Sequence, residues 1–151
     1  MIEFERKFLL KHVPHDFETY IKSEVTQWYL KIRDAFSLRL RLYDDGRCYL
    51  DIKERKSGSS KQKHGRKVVF LDYEKYTINK PLIKKARYKK HFDGYLLIID
   101  IFDDNSTLIE VECKDINLLS RFEPPDWFGM EVTDDIRYTN HYMAINKKPL
   151  I

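Results

Sequence analysis

The chain has only two cysteines in 151 residues, Cys48 and Cys113. They are too few and too far apart for a disulfide framework, so a reducing, cytoplasmic setting is the expectation. Both are expected to pack as small apolar residues rather than to serve as nucleophiles. No apolar run approaches the length of a membrane span, which excludes a helical membrane protein. The first residues include acidic side chains and have no signal-peptide layout. There is no internal repeat and no low-complexity linker, and one domain over 1–151 is expected. The five histidines, among them the neighbouring His12 and His15, lack metal-ligand spacing, which argues against a zinc site. A series of stacking aromatics, as in a general single-strand binder, is also missing.

What the chain has is charge in a particular order. It carries 28 basic and 24 acidic residues, for a net charge of +4. In a β-strand, side chains i, i+2 and i+4 leave from one face. The opening Glu3-Phe4-Glu5-Arg6-Lys7 therefore puts Glu3, Glu5 and Lys7 together and Phe4, Arg6 and Phe8 opposite. The pattern recurs. Arg39 and Arg41 alternate with Leu38, Leu40 and Leu42; Tyr49, Asp51 and Lys53 alternate with Leu50 and Ile52; Lys85, Arg87 and Lys89 form another row. Glu110 and Glu112 share a face of Leu108–Glu112, and Asp100 lies inside the apolar run 96–102. A single strand of this kind reads as a solvated sheet face. Five of them call for a common cause: a polar interior, with the apolar faces covered from outside.

Strands are expected at 2–10, 25–32, 36–43, 48–53, 66–71, 84–92, 95–102 and 106–113, with a last short one at 130–132. Asp45-Gly46 and Asp93-Gly94 supply hairpin turns. Short helices fit 14–21, 72–78, 115–122 and the stretch from Tyr138 onward, and the segment 56–65 reads as a flexible loop. Eight or nine antiparallel strands with charged faces suggest a closed barrel. In its interior, Glu3, Glu5, Glu110 and Glu112 could hold a hard divalent cation through oxygen. Arg39, Arg41, Lys53, Lys85 and Arg87 could clamp a chain of phosphates, arginine by paired hydrogen bonds and lysine as a point charge.

These residues resemble the CYTH superfamily, the triphosphate tunnel metalloenzymes. The likeness begins at Glu3-x-Glu5-x-Lys7. It continues through QWYL at 27–30, LRLR at 38–41, Lys53, KARY at 85–88, IDIF at 99–102, IEVE at 109–112 and WFGMEVTDDIRYTN at 127–140. It spans nearly the whole chain and is closest to the short bacterial, tripolyphosphatase-like members. The resemblance implies an α+β, mainly β domain: an eight-stranded antiparallel closed barrel, open as a tunnel, with a few short outer helices. It implies a phosphohydrolase that cleaves inorganic tripolyphosphate or a related triphosphate with Mg²⁺ or Mn²⁺. Metal ligands would be Glu3, Glu5, Glu110, Glu112 and Asp100. Lys7, Arg39, Arg41, Lys53, Arg66, Lys85, Arg87 and Arg137 would bind substrate. Lys85 and a water-orienting carboxylate, Glu5 or Glu112, would act in catalysis. The partner would be a small triphosphate rather than nucleic acid or a membrane, and the chain a monomer or homodimer. Relatives carry three further carboxylates where this chain has Val68, Phe70 and Ile98. That departure raises an alternative, a module that binds a triphosphate or nucleotide with little or no cleavage.

Overall fold

A computed structural model describes residues 2–34, 36–55, 60–67 and 72–146; for 2, 55 and 60–67 the description covers the backbone alone. Nine strands lie in this part of the chain: β1 Ile2–Leu10, β2 Ile21–Arg33, β3 Phe36–Tyr43, β4 Cys48–Arg55, β5 Ser60–Lys67, β6 Leu82–Phe92, β7 Tyr95–Phe102, β8 Thr107–Cys113 and β9 Phe128–Glu131. Three short helices accompany them: α1 Glu74–Thr77, α2 Ile116–Ser120 and α3 Asn140–Asn146. The strands form one antiparallel sheet in the order β5-β4-β3-β2-β6-β7-β8-β1-β9. β5 also pairs with β1, at Ile2–Gln62, Glu3–Lys61 and Phe4–Ser60.

Turn chemistry sets the hairpins. Gly46 has φ +91° between β3 and β4, and Asp93 and Gly94 have φ +49° and +84° between β6 and β7. Asp-Gly tolerates these values, and the twist of such a turn suits the flanking strands. One expectation fails here. The segment 56–65, read as a loop, contains the first six residues of β5, whose Lys63 and Gly65 pair with Lys53 and Asp51. Ser-Lys-Gln-Lys-His-Gly has low intrinsic strand preference, and two neighbouring strands impose the conformation.

The two faces of the sheet differ in character. The apolar face of β1, β7 and β8 forms a core of Phe8, Leu97, Ile99, Ile109 and Val111, closed by Leu119 and Phe122 around α2 and by Phe128. Asp115 starts α2 by accepting from the backbone N–H groups of Asn117 and Leu118, a capping bond typically worth about 1 kcal/mol. Arg6, on the apolar face of β1, reaches Glu131 on β9 through paired hydrogen bonds of 3.0 and 2.8 Å and donates to the carbonyls of Leu119 and Phe122. It thereby ties β1, α2 and β9 into one layer. A second apolar cluster, Phe102, Leu108, Val132, Tyr138 and Met143, lies at one end of the opposite face beside α3.

Candidate active site

The opposite face collects the charge. Lys7, Arg39, Arg41, Asp51, Lys85, Arg87, Asp100, Glu110 and Glu112 are all buried. Register explains why they meet. Glu5 pairs with Glu112 and Lys7 with Glu110; Arg39 pairs with Asp51; Arg87 pairs with Asp100; directly opposed residues share a face. Contacts also skip strands. Lys53 of β4 lies 3.8 Å from Glu5 of β1, and Arg87 of β6 lies 3.7 Å from Glu110 of β8. The charged face is therefore curled so that its far strands approach one another.

Two clusters of cations flank it. In the first, Arg87 donates to both carboxylate oxygens of Asp100 at 2.7 Å each, and Lys85 lies 3.1 Å from the same group. Asp100 is 1% exposed. Burial works against its charge, but Arg87 and then Lys85 outweigh that and hold its pKa below the ordinary carboxylate value. Burial likewise opposes the Arg87 cation, and Asp100 and Glu110 more than offset it, so its pKa rises. Lys85 has the opposite balance. Burial, with Arg87 adding repulsion, brings its pKa well below the usual lysine value despite Asp100. In the second cluster Arg39 and Arg41 share Asp51, at 3.3 and 3.8 Å. There one guanidinium nitrogen of Arg39 (Nη2) and the Nε of Arg41 are buried without a hydrogen-bond acceptor among the described residues. Burial first, then Arg39, lowers the pKa of Arg41.

A carboxylate oxygen from each of Glu5, Glu110 and Glu112 lies within 4.8 Å of the others. Three hard oxygen donors at that spacing suit a hard divalent cation. Asp100 is not one of this group; its oxygens are engaged by Arg87 and Lys85. Glu3 lies on the same face of β1, beside a cavity of about 370 Å³ that it lines with Leu96 and Glu112. Lys7 donates to the carbonyl of Tyr138 at 2.9 Å. Arg137 is exposed and bound to Asp135 at 2.6 Å. Arg66 is paired in register with Leu50, while its neighbour Gly65 stands opposite Asp51; its side chain, and all of Val68 and Phe70, lie outside the described residues. Ile98 is buried on the charged face, opposite Lys89 on one side and Glu110 on the other.

Two polar residues without an expected role join the site. Asn140, at the start of α3, accepts from Lys85 Nζ at 2.7 Å and from the Gln27 amide at 3.2 Å. Gln27 is fully buried and also donates to Tyr29 at 2.8 Å. The available signal was the placement of Gln27 and Tyr29 at i and i+2 on a strand, one face shared. Nothing local marks Asn140.

Comparisons with known proteins add independent findings. No protein-family model matches the chain. An inorganic triphosphatase of Nitrosomonas europaea is 33% identical, covering 97% of this chain and 99% of its own length. One from Acetivibrio thermocellus is 30% identical, covering 95% and 94%. The crystal structure of an inorganic triphosphatase superimposes with a TM-score of 0.68 at 30% identity, over 95% of this chain and 94% of that one.

Proposed function

Because the chain belongs to the CYTH superfamily, among its inorganic triphosphatases, we propose that it hydrolyses inorganic tripolyphosphate or a closely related triphosphate on the charged face. The observation that carries the reading is a pair of arginines, Arg39 and Arg41, with buried donors left open among the described residues, on the same face as a grouped set of carboxylates. Buried polar donors are nearly always satisfied, and polyanion oxygens would satisfy these. The three β1–β5 residue pairs support a sheet that closes on itself, with this face as the lining of a tunnel. The whole chain, 1–151, would serve as one domain around it. Among the described residues no helix is long and apolar enough to cross a membrane.

In this reading Glu5, Glu110 and Glu112 would hold Mg²⁺ or Mn²⁺. Such an ion, when bound, neutralises phosphate charge. The rest falls to side chains. Arg39, Arg41, Lys53 and Lys7 bind phosphate oxygens, and Arg87 and Lys85, fixed by Asp100, face the charge that develops on the phosphoryl group. Phosphoryl transfer depends chiefly on positioning and electrostatics, and donors prearranged in a water-poor site are effective because they need no reorganisation. Glu112 or Glu5 would orient the attacking water.

The test is phosphate release from tripolyphosphate in Mg²⁺ or Mn²⁺. Lys85→Ala should lower kcat by about 10² or more, the usual effect of removing one electrostatic donor. Full activity in that variant would refute the assignment. One observation favours a second reading: apolar Ile98 occupies a position on the charged face between Lys89 and Glu110. Fewer carboxylates would leave a module that binds without cleaving. Calorimetric binding of tripolyphosphate with no phosphate released in either metal would decide for it.

A further inference from the structure

One cation of the charged face takes no part in the pairings above. Lys89 follows Arg87 by two residues on β6, so the two leave from the same face. In register it stands between Ile21 of β2 and Ile98 of β7. It is half-buried, and among the described residues its ammonium makes no hydrogen bond and no ion pair. Burial, then repulsion from Arg87, lowers its pKa, against the pull of Tyr43 and Glu112. Ile21 is exposed and Ile98 is buried, so the ammonium is shielded from water on the Ile98 side, and partial burial with no counter-ion in contact among the described residues is unfavourable. The fully buried cations of this face are each matched to a carboxylate or a carbonyl. A feature that costs stability without a structural return indicates an anion brought from outside.

Its position along β6 narrows what that anion is. The row runs Lys85, Arg87, Lys89, His91. At the Lys85 end it is covered by Asn140 and by the apolar cluster of Phe102, Leu108, Tyr138 and Met143. At the other end His91 lines the 370 Å³ cavity together with Glu3, Leu96 and Glu112. Four residues of strand from Lys85 to Lys89 span about 13 Å. The outermost cation therefore stands over the part of a bound chain that points toward the cavity. A lysine on a flexible stem suits a group whose position varies, where a guanidinium would demand a fixed geometry.

We infer that Lys89 is a substrate-binding residue that holds the phosphate of the bound chain nearest the cavity. This rests on the triphosphatase reading above and assigns the far end of the same site. The test uses the full chain, inorganic tripolyphosphate as probe, and the substitutions Lys89→Met and Lys89→Arg. Lys89→Met should raise KM about tenfold with kcat within about twofold, the mark of lost ground-state and transition-state binding alike. Lys89→Arg should recover most of that loss. The melting temperature of ligand-free Lys89→Met should equal or exceed that of the parent, because a half-buried charge with no counter-ion in contact has been removed. An unchanged KM overturns the assignment. So does a raised KM accompanied by a fall in melting temperature and no recovery with Lys89→Arg, since that pattern marks a structural role. If the parent chain releases no phosphate at all, the hydrolase reading fails separately. Calorimetry with tripolyphosphate then decides for Lys89: about tenfold weaker binding in Lys89→Met supports it, and equal binding overturns it.

Discussion

The two cation clusters have the same charge count and opposite states of satisfaction. Each places two cations on one strand against a single aspartate on the next. Around Asp100 every short contact is made: both oxygens accept from Arg87 at 2.7 Å and Lys85 closes to 3.1 Å. Around Asp51 the contacts are 3.3 and 3.8 Å, and two guanidinium nitrogens have no acceptor among the described residues. Charge count alone would rank the clusters equal. Geometry separates them into a fixed support, whose cations are held before any ligand arrives, and a pair of open donors. Buried ion pairs are weak evidence for stability but costly to break, so the two should respond differently to the same substitutions.

The largest expected difference is in folding. Asp100→Ala leaves Arg87 and Lys85 buried without their counter-ion and should cost about 3–5 kcal/mol. Asp51→Ala disturbs a looser arrangement and should cost about 1–3 kcal/mol. Urea denaturation measures both, and equal losses would erase the distinction drawn between the clusters. Next in size is catalysis on the open side. Arg39→Ala or Arg41→Ala should lower kcat/KM for tripolyphosphate by about 10² while changing the urea midpoint little, since each already carries an unsatisfied donor. A variant that unfolds in step with its loss of activity would make these arginines structural.

The smallest effect is in pH dependence. Lys85 loses its proton at a lower pH than an ordinary lysine, because burial and Arg87 outweigh Asp100. The profile of kcat/KM reports groups of the free enzyme, so its alkaline limb should begin below the ordinary lysine value of about 10.4. Asn140→Asp would place a carboxylate 2.7 Å from that ammonium in the geometry of the present bond. This favours the charged form, and the limb should move upward by about one unit. The arginine cluster cannot contribute a limb there, because guanidinium keeps its proton throughout. A limb that stays in place when Asn140 is changed would show that Lys85 is not the titrating group.

Much of this was legible in the chain. Alternation of charge and bulk located β3 at 36–43 and β7 at 95–102 without error, because a two-residue period admits one assignment of faces. It also placed Arg39, Arg41, Lys85, Arg87, Glu110 and Glu112 on a common side. β5 escaped it, since a run of lysine, serine and glutamine has no apolar phase to read. Arg137 was expected at the site because of a motif and lies on an exposed turn with Asp135. Asn140 was left without a role, and it sits 113 residues from Gln27, its partner.

By itself, then, the sequence determined which residues share a face, because side-chain direction along a strand is a local property of the backbone. Only the tertiary structure decided which of those charges touch. Strand register and the return of α3 over β6 bring together groups far apart in the chain, and the free energy of a buried ion depends on contacts of a few ångströms that no local pattern specifies.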